Sequence, residues 1–199
     1  MPLLDEHFQG PSFDSRLTWF NPPASAQLGP GGLSVETAAG SDFWQRTHYG
    51  FRVDNGHALL LPVSADFRLE TEVRFSPLHQ YDQAGLFVRL SEGCWLKTSI
   101  EFEGDAPSRL GSVVTNHGYS DWATQDVPSS TRHARYRITR RSGDYLIEYE
   151  TEPGALSQLR LAHLAEDDGH AQVLAGLYAC SPKGAGFQAT FRRLRVELA

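Results

Sequence analysis

Apolar and polar residues alternate with a period of two along most of the chain. Four stretches show this pattern most clearly: 68–75, 83–90, 95–102 and 135–139. Because successive side chains of a strand point to opposite faces, each stretch predicts a strand with one face in a core. The apolar spacing of 155–165 fits a helix and a strand about equally. The turn formed by Glu152, Pro153 and Gly154 precedes it, so we predict a strand there.

Short turn signals separate these stretches along the whole chain. They include Asp54-Asn55-Gly56, Glu103-Gly104-Asp105, Ser142-Gly143-Asp144 and Asp167-Asp168-Gly169. Glycine, Asp and Asn supply the positive φ angles and local hydrogen bonds that tight connections need. About a dozen strands joined in this way predict an all-β, two-sheet antiparallel β-sandwich. We expect one domain over residues 1–199, with its core at about 17–197.

Composition narrows the classes of function. The 199 residues carry a net charge of −6, which argues against nucleic-acid binding, because neutralising phosphates requires a clustered basic surface. The basic run over 132–141 alternates with Tyr136 and Ile138 and predicts a strand with one charged face. No apolar run approaches the roughly 18 residues of a membrane span, and the N-terminus is acidic. We therefore expect no membrane partner and a cytoplasmic location.

Four segments together resemble a known family. They are Ser41–Gly50 (Ser-Asp-Phe-Trp-Gln-Arg-Thr-His-Tyr-Gly), Asp82–Arg89 (Asp-Gln-Ala-Gly-Leu-Phe-Val-Arg), Cys94–Phe102 (Cys-Trp-Leu-Lys-Thr-Ser-Ile-Glu-Phe) and Ser120-Asp121-Trp122 with Val113-Val114-Thr115 upstream. In this order they resemble a bacterial and fungal domain family of unknown function that includes the fungal regulation-of-enolase protein. The resemblance runs from about Leu17 to Glu197. It implies a concanavalin A-like (lectin/glucanase) jelly roll and no settled reaction.

One predicted sheet face combines polar and aromatic side chains. Strand parity places Trp95, Lys97 and Glu101 on the face opposite Leu96 and Ile100, which belong to the core. The full candidate ligand-binding set is Gln83, Trp95, Lys97, Glu101, Trp122, Tyr178 and His117. Such a face suits a sugar, whose hydroxyl groups pair with amide, carboxylate and cationic groups and whose apolar side packs on an aromatic ring. Trp95 and Trp122 are the expected stacking residues.

The sequence patterns that indicate catalysis or metal binding are weaker than those that indicate ligand binding. Glu101 and Glu103 are two positions apart on one strand, about 6.5–7 Å between Cα atoms, so a glycosidase pair is reachable. Asp121 is a further candidate partner for Glu101. However, Gly104-Asp105 reads as a turn that would place Glu103 at a frayed strand end. The eight histidines lack ligand spacing, so we expect no metal and no cofactor. Spacing does not show whether Cys94 and Cys180 meet, or which residues of 110–116 face outward.

Three functions remain after these arguments. The leading hypothesis is a non-catalytic module that binds a carbohydrate or another small ligand on the open polar-aromatic face. The alternative is a glycoside hydrolase-like enzyme that uses Glu101 with Glu103 or Asp121. The third hypothesis is an interaction protein that regulates a metabolic enzyme, with a protein partner or a second copy of the chain bound to an apolar patch.

Overall fold

The computed structural model describes residues 2–199, which form seventeen strands. The first nine are β1 (Leu4–Glu6), β2 (Thr18–Phe20), β3 (Ser25–Gly29), β4 (Gly32–Glu36), β5 (Phe43–Gln45), β6 (Arg52–Asp54), β7 (His57–Val63), β8 (Phe67–Ser76) and β9 (Gln83–Ser91). The other eight are β10 (Cys94–Glu101), β11 (Ser108–Asn116), β12 (Tyr119–Val127), β13 (His133–Arg141), β14 (Asp144–Glu150), β15 (Ser157–His163), β16 (Val173–Cys180) and β17 (Gln188–Leu198).

Two antiparallel sheets contain all but two of these strands. Sheet A has the order β15-β14-β13-β8-β17-β4-β3, with β1 also paired to β17. Sheet B has the order β12-β11-β10-β9-β16-β7-β2, and β5 and β6 form a separate hairpin. The predicted two-sheet jelly-roll sandwich is confirmed. The strands run from Leu4 to Leu198 and are more numerous than the dozen expected, because several have only three residues.

The period-two pattern fixes which side of each strand enters the core. In β8, residues at alternate positions from Phe67 to Phe75 are buried, while Arg68 and Arg74 are exposed. The buried faces of both sheets meet in one cluster that includes Leu69, Leu86 and Leu96. Residues 155–165 contain strand β15 and not a helix, as predicted. No helix in residues 2–199 is long and apolar enough to cross a bilayer.

Sheet B is buried on both faces near its centre, and this differs from the sequence-based picture. Every residue of β10 from Cys94 to Ile100 is buried. Cys94 belongs to the cluster between the sheets, whereas Cys180 belongs to a second cluster on the other side of sheet B. Both cysteines are free thiols. The face predicted to be open is therefore partly covered by another part of the chain.

A buried ion pair connects sheet A to the loop before β16. The Arg140 side chain on β13 donates to the Asp167 carboxylate (Nε to Oδ2, 2.8 Å) and to the carbonyl oxygens of Ala65 and Ala171, each at 3.0 Å. The hydroxyl of Tyr145 donates to the same carboxylate. Burial alone would raise the pKa of Asp167, but the bonds from Arg140 and Tyr145 outweigh it and lower that pKa.

We predict that Arg140→Ala lowers the free energy of unfolding by about 3–5 kcal/mol, because it leaves the buried Asp167 carboxylate without its counter-charge. Arg141→Ala on the neighbouring, exposed position is the matched control and should change it by less than about 0.5 kcal/mol. Urea unfolding of the three proteins measures both values. Equal losses in the two variants would contradict the role given to this pair.

Candidate functional site

The β5–β6 hairpin lies against the outer face of sheet B. The ring of Phe43 stacks on Phe87 of β9, with centroids 4.4 Å apart, and also approaches Trp95 (6.1 Å) and Tyr178 (6.3 Å). Gly56 makes room for this ring, since a Cβ atom there would lie 2.3 Å from it. The hairpin thus buries a second aromatic cluster on the face that the sequence predicted to be open.

Two ion pairs attach the hairpin to sheet B. Arg89 of β9 donates two bonds to the Asp54 carboxylate of β6, at 2.7 and 2.8 Å. Lys97 of β10 donates to Asp42 Oδ1, just before β5, at 2.9 Å. Both carboxylates are partly shielded from water, so these pairs hold the hairpin at fixed positions.

Beside the hairpin, the face remains accessible as a cavity of about 610 Å³. This lies within the range of roughly 300–1,000 Å³ that is typical of small-molecule sites. Its lining combines six charged residues with five aromatic ones. The charged residues are Asp42, Lys97, Glu101, Glu103, Arg109 and Lys183, and the aromatic ones are Trp44, Tyr49, Phe51, Tyr81 and Trp122.

A chain of hydrogen bonds forms the polar floor of the cavity. The hydroxyl of Tyr178 donates to Gln83 Oε1 at 3.1 Å. Gln83 Nε2 donates to the Tyr81 carbonyl oxygen at 3.1 Å and to Glu101 Oε2 at 2.7 Å. Three strands, β16, β9 and β10, contribute to this chain, so the rigid centre of sheet B positions its side chains.

Burial controls the charge of the acidic floor residue. Desolvation raises the pKa of Glu101 to about 8, although Lys97 and the bond from Gln83 act against it. Burial alone would lower the pKa of Lys97, but the nearby Asp42 carboxylate outweighs it and raises that pKa. At neutral pH the cavity therefore holds a charged Lys97, bonded to Asp42, and a largely neutral Glu101.

Aromatic side chains form the rim. Trp122 on β12 is 37% exposed, and Tyr49 and Phe51 are exposed rings that stack 5.7 Å apart. Tyr49 also packs on Trp44 at 5.5 Å. The tight loop between β5 and β6 presents Tyr49 and Phe51, and it contains positive φ angles at Arg46, His48 and Gly50. Apolar ring faces thus surround the entrance to a polar floor.

The structure brings together five of the predicted ligand-binding residues. Gln83, Lys97, Glu101 and Trp122 contact the main cavity or a small recess joined to its floor. Tyr178 lies directly beneath them through its bond to Gln83. Among 110–116, strand pairing places Gly111 and Val113 on this side, opposite Ser99 and Lys97.

Three predicted site residues do not take the expected position. Trp95 is on the predicted face but fully buried beneath Phe43, and its Nε1 donates to the Glu92 carbonyl oxygen, so it offers no surface for stacking. Asp121 lies on the other side of β12, where it pairs with Arg160 of β15 at 2.7 Å. It cannot partner Glu101. His117 is exposed in the β11–β12 turn and is outside the cavity lining.

Several residues of the site were not predicted from the sequence. Asp42 and Tyr49 belong to the 41–50 segment that contributed to the family resemblance, and Phe51 follows it directly. The position of this segment on sheet B is not encoded in any periodicity. Arg109 lines the cavity and pairs with Asp126. Glu103, predicted only as a weak catalytic candidate, lines the cavity and accepts a bond from Gln80 at 2.7 Å. Within residues 2–199, no cluster of three or more His, Cys, Asp or Glu side chains has metal-site geometry.

Comparison with known proteins places the chain in a family. The family described as "Protein of unknown function (DUF1349)" matches residues 19–199. The chain belongs to this family. A Saccharomyces cerevisiae relative, "Regulation of enolase protein 1", is 36% identical over 177 residues, which cover 89% of this chain and 87% of the relative.

Solved structures show the same fold. A crystal structure of a functionally unknown protein from Saccharomyces cerevisiae has a TM-score of 0.84 and 34% identity, covering 93% of this chain and 97% of that one. A Bacteroides ovatus protein described as Xyloglucan PUL GH43B has a TM-score of 0.76 at 17% identity. That match covers all of this chain and 40% of the larger protein, and it shows similarity of fold alone.

We predict that Glu101 makes stability fall as pH rises. Its pKa is raised from 4.5 to about 8 in the folded state, so between these values the folded chain binds more protons than the unfolded chain. The free energy of unfolding then decreases by about 1.4 kcal/mol per pH unit in this window. Below the unfolded-state pKa the contribution is fully present.

Urea unfolding from pH 5 to 8 tests this dependence. The free energy of unfolding of the wild type minus that of Glu101→Gln should become steadily more negative as pH rises, because only the wild type loses stability through this group. Glu152→Gln, at an exposed loop position, is the matched control and should follow the wild type. Parallel curves for the wild type and Glu101→Gln would show that Glu101 has an ordinary pKa.

Proposed function

We propose that this protein binds a small saccharide in the cavity between the β5–β6 hairpin and β10–β12. The observation that supports it most is the combination of an aromatic rim with a polar floor in one cavity of about 610 Å³. A sugar ring has an apolar face that packs on aromatic groups and hydroxyl groups that both donate and accept hydrogen bonds. Both kinds of partner are present at fixed positions.

The floor offers complementary hydrogen-bonding groups. Lys97 has three N–H donors, of which Asp42 Oδ1 takes one. Glu101 has a second carboxyl oxygen beyond the one that Gln83 binds. Because these groups are fixed before any ligand arrives, little conformational entropy is lost on binding. Trp122 is the remaining residue expected to stack on a sugar.

The comparisons support this class of ligand without showing it. A domain of the same fold is part of a protein whose description names xyloglucan. We expect simple sugars such as glucose, xylose and galactose, alone or as short oligosaccharides, to be the first compounds that bind. The cavity is closed on one side by the hairpin, which favours a short ligand over a long polymer.

Hydrolysis of a glycosidic bond is a second candidate, and one observation favours it. Glu101 is largely neutral at pH 7, as a general acid requires, and the carboxylates of Asp42 and Glu103 line the same cavity. Chromatography of each saccharide after incubation with the protein distinguishes hydrolysis from binding alone. In the absence of cleavage, the cavity acts as a binding site.

The name of the yeast relative favours a third role, regulation of a metabolic enzyme. The exposed rings of Tyr49, Phe51 and Tyr119 are suitable contacts for a protein partner. A cytoplasmic location, the single-domain organisation of 1–199 and pairing with a second copy of the chain stay predictions from the sequence. The saccharide experiment below separates the first role from this one.

We predict that glucose, xylose, galactose, xylobiose or cellobiose raises the melting temperature in a dose-dependent way. At 100 times its Kd a ligand adds about 2.7 kcal/mol, which corresponds to a rise of roughly 5–10 °C for a domain of this size. Trp122→Ala should weaken binding by about tenfold or more, because it removes one of the exposed rings that line the cavity.

Tyr119→Ala is the matched control. Tyr119 is an exposed aromatic residue on the same strand, 57% accessible, but it is outside the cavity lining. Its loss should leave saccharide affinity unchanged. If none of the five sugars shifts the melting temperature at millimolar concentration, the saccharide proposal is wrong and the regulator role gains support.

A further inference from the structure

The two carboxyl oxygens of Glu101 have different surroundings. Oε2 accepts the Gln83 Nε2–H bond at 2.7 Å. Oε1 has no hydrogen-bond partner among residues 2–199. Glu101 is only partly buried and lines the cavity. When Glu101 is protonated, Oε2 is therefore occupied as the acceptor for Gln83, and Oε1 is the oxygen available to carry the proton.

The orientation of the Gln83 amide determines whether Gln83 donates a hydrogen bond to Glu101 or accepts one from it. Its Nε2 lies 3.1 Å from the Tyr81 carbonyl oxygen, which can only accept. Its Oε1 lies 3.1 Å from the Tyr178 hydroxyl, whose raised pKa keeps it an O–H donor. A flipped amide would set oxygen against oxygen at the Tyr81 carbonyl. Gln83 therefore donates to Glu101 and cannot accept its proton.

Charged groups from every neighbouring element act on Glu101. Lys97 on the same strand favours the ionised form, whereas Asp42 before β5 and Glu103 after β10 oppose it. Desolvation is the largest effect and favours the neutral acid. The Lys97 ammonium is bonded directly to Asp42, 2.9 Å away.

The two other cations of the cavity have their own partners. Arg109 is opposite Glu101 in the β10–β11 register, but its guanidinium pairs with Asp126. The Lys183 ammonium lies 5.6 Å from the centre of the Tyr81 ring, in a cation–π contact. Neither group supplies a direct counter-charge to the Glu101 carboxyl group.

We propose that Glu101 binds the ligand as a neutral carboxylic acid and donates the proton on Oε1 to a ligand oxygen. This inference rests on the saccharide-binding function proposed above and adds the chemistry of one contact. Together with the N–H groups of Lys97, it makes the floor rich in donors. The floor would then select a ligand that presents acceptor oxygens, such as the ring oxygen and adjacent hydroxyl oxygens of a pyranose.

This arrangement predicts pH-dependent affinity. Ionisation of Glu101 removes the donor and places a carboxylate next to a ligand oxygen, so affinity should decrease about tenfold per pH unit above pH 8. Glu101→Gln keeps a donor at every pH, because the new amide oxygen can accept from Gln83 while its N–H groups face the ligand. That variant should bind the sugar as tightly at pH 9 as it does at pH 6.

Calorimetric titration from pH 6 to 9.5 tests the proposal, with xylobiose or whichever of the five sugars stabilises the protein most. Glu103→Gln is the matched control, since it removes a carboxylate from the same cavity and should keep the decrease in affinity. Constant wild-type affinity over this range would overturn the inference and leave saccharide binding intact. So would a folded Glu101→Gln variant that does not bind at any pH. If no sugar binds, both proposals fall.

A second measurement needs no ligand. In protein labelled with ¹³C at the glutamate side-chain carboxyl, the signal that is missing from Glu101→Gln should titrate with a midpoint near pH 8. A midpoint near the ordinary glutamate value of about 4.3 would overturn the proposal regardless of the sugar. Thermal unfolding of the variant confirms that it is folded.

Discussion

The packing of the β5–β6 hairpin on sheet B is the interaction on which the site depends. Phe43 stacks on Phe87 at 4.4 Å, and the carboxylates of Asp42 and Asp54 pair with Lys97 and Arg89 of the sheet. Without the hairpin, the outer face of sheet B would be a solvated surface in which an exposed ion pair contributes little. With it, the same side chains become the floor of a partly desolvated cavity.

Desolvation then determines the chemistry of that floor. In a medium less polar than water, a group keeps its charge only beside a partner of opposite charge. Lys97 has such a partner in Asp42, whereas the hydrogen bond to Glu101 comes from the neutral amide of Gln83. Lys97 stays ionised and Glu101 is largely neutral at pH 7. Two ionisable groups four residues apart on one strand thus acquire different roles through their surroundings.

The sequence predicts the fold well and the site in part. Strand parity correctly places Lys97 and Glu101 on one face and Leu96 and Ile100 on the other, because alternation is a local property of the chain. It cannot show that 41–56 folds back over that face, since the contact of Phe43 with Phe87 joins residues far apart in sequence. For this reason Trp95 was expected at the surface and is buried, while Asp42 and Tyr49 were missed.

The indole N–H signals of the tryptophans test most directly whether the hairpin-bounded cavity is the ligand site. Trp44 and Trp122 line the cavity, whereas Trp19 on β2 packs against the cluster between the sheets. In a ¹H–¹⁵N titration with the sugar that stabilises the protein most, we predict that the signals of Trp44 and Trp122 shift and that of Trp19 does not. A shift confined to Trp19, or no shift although binding is proven, would place the ligand outside this cavity.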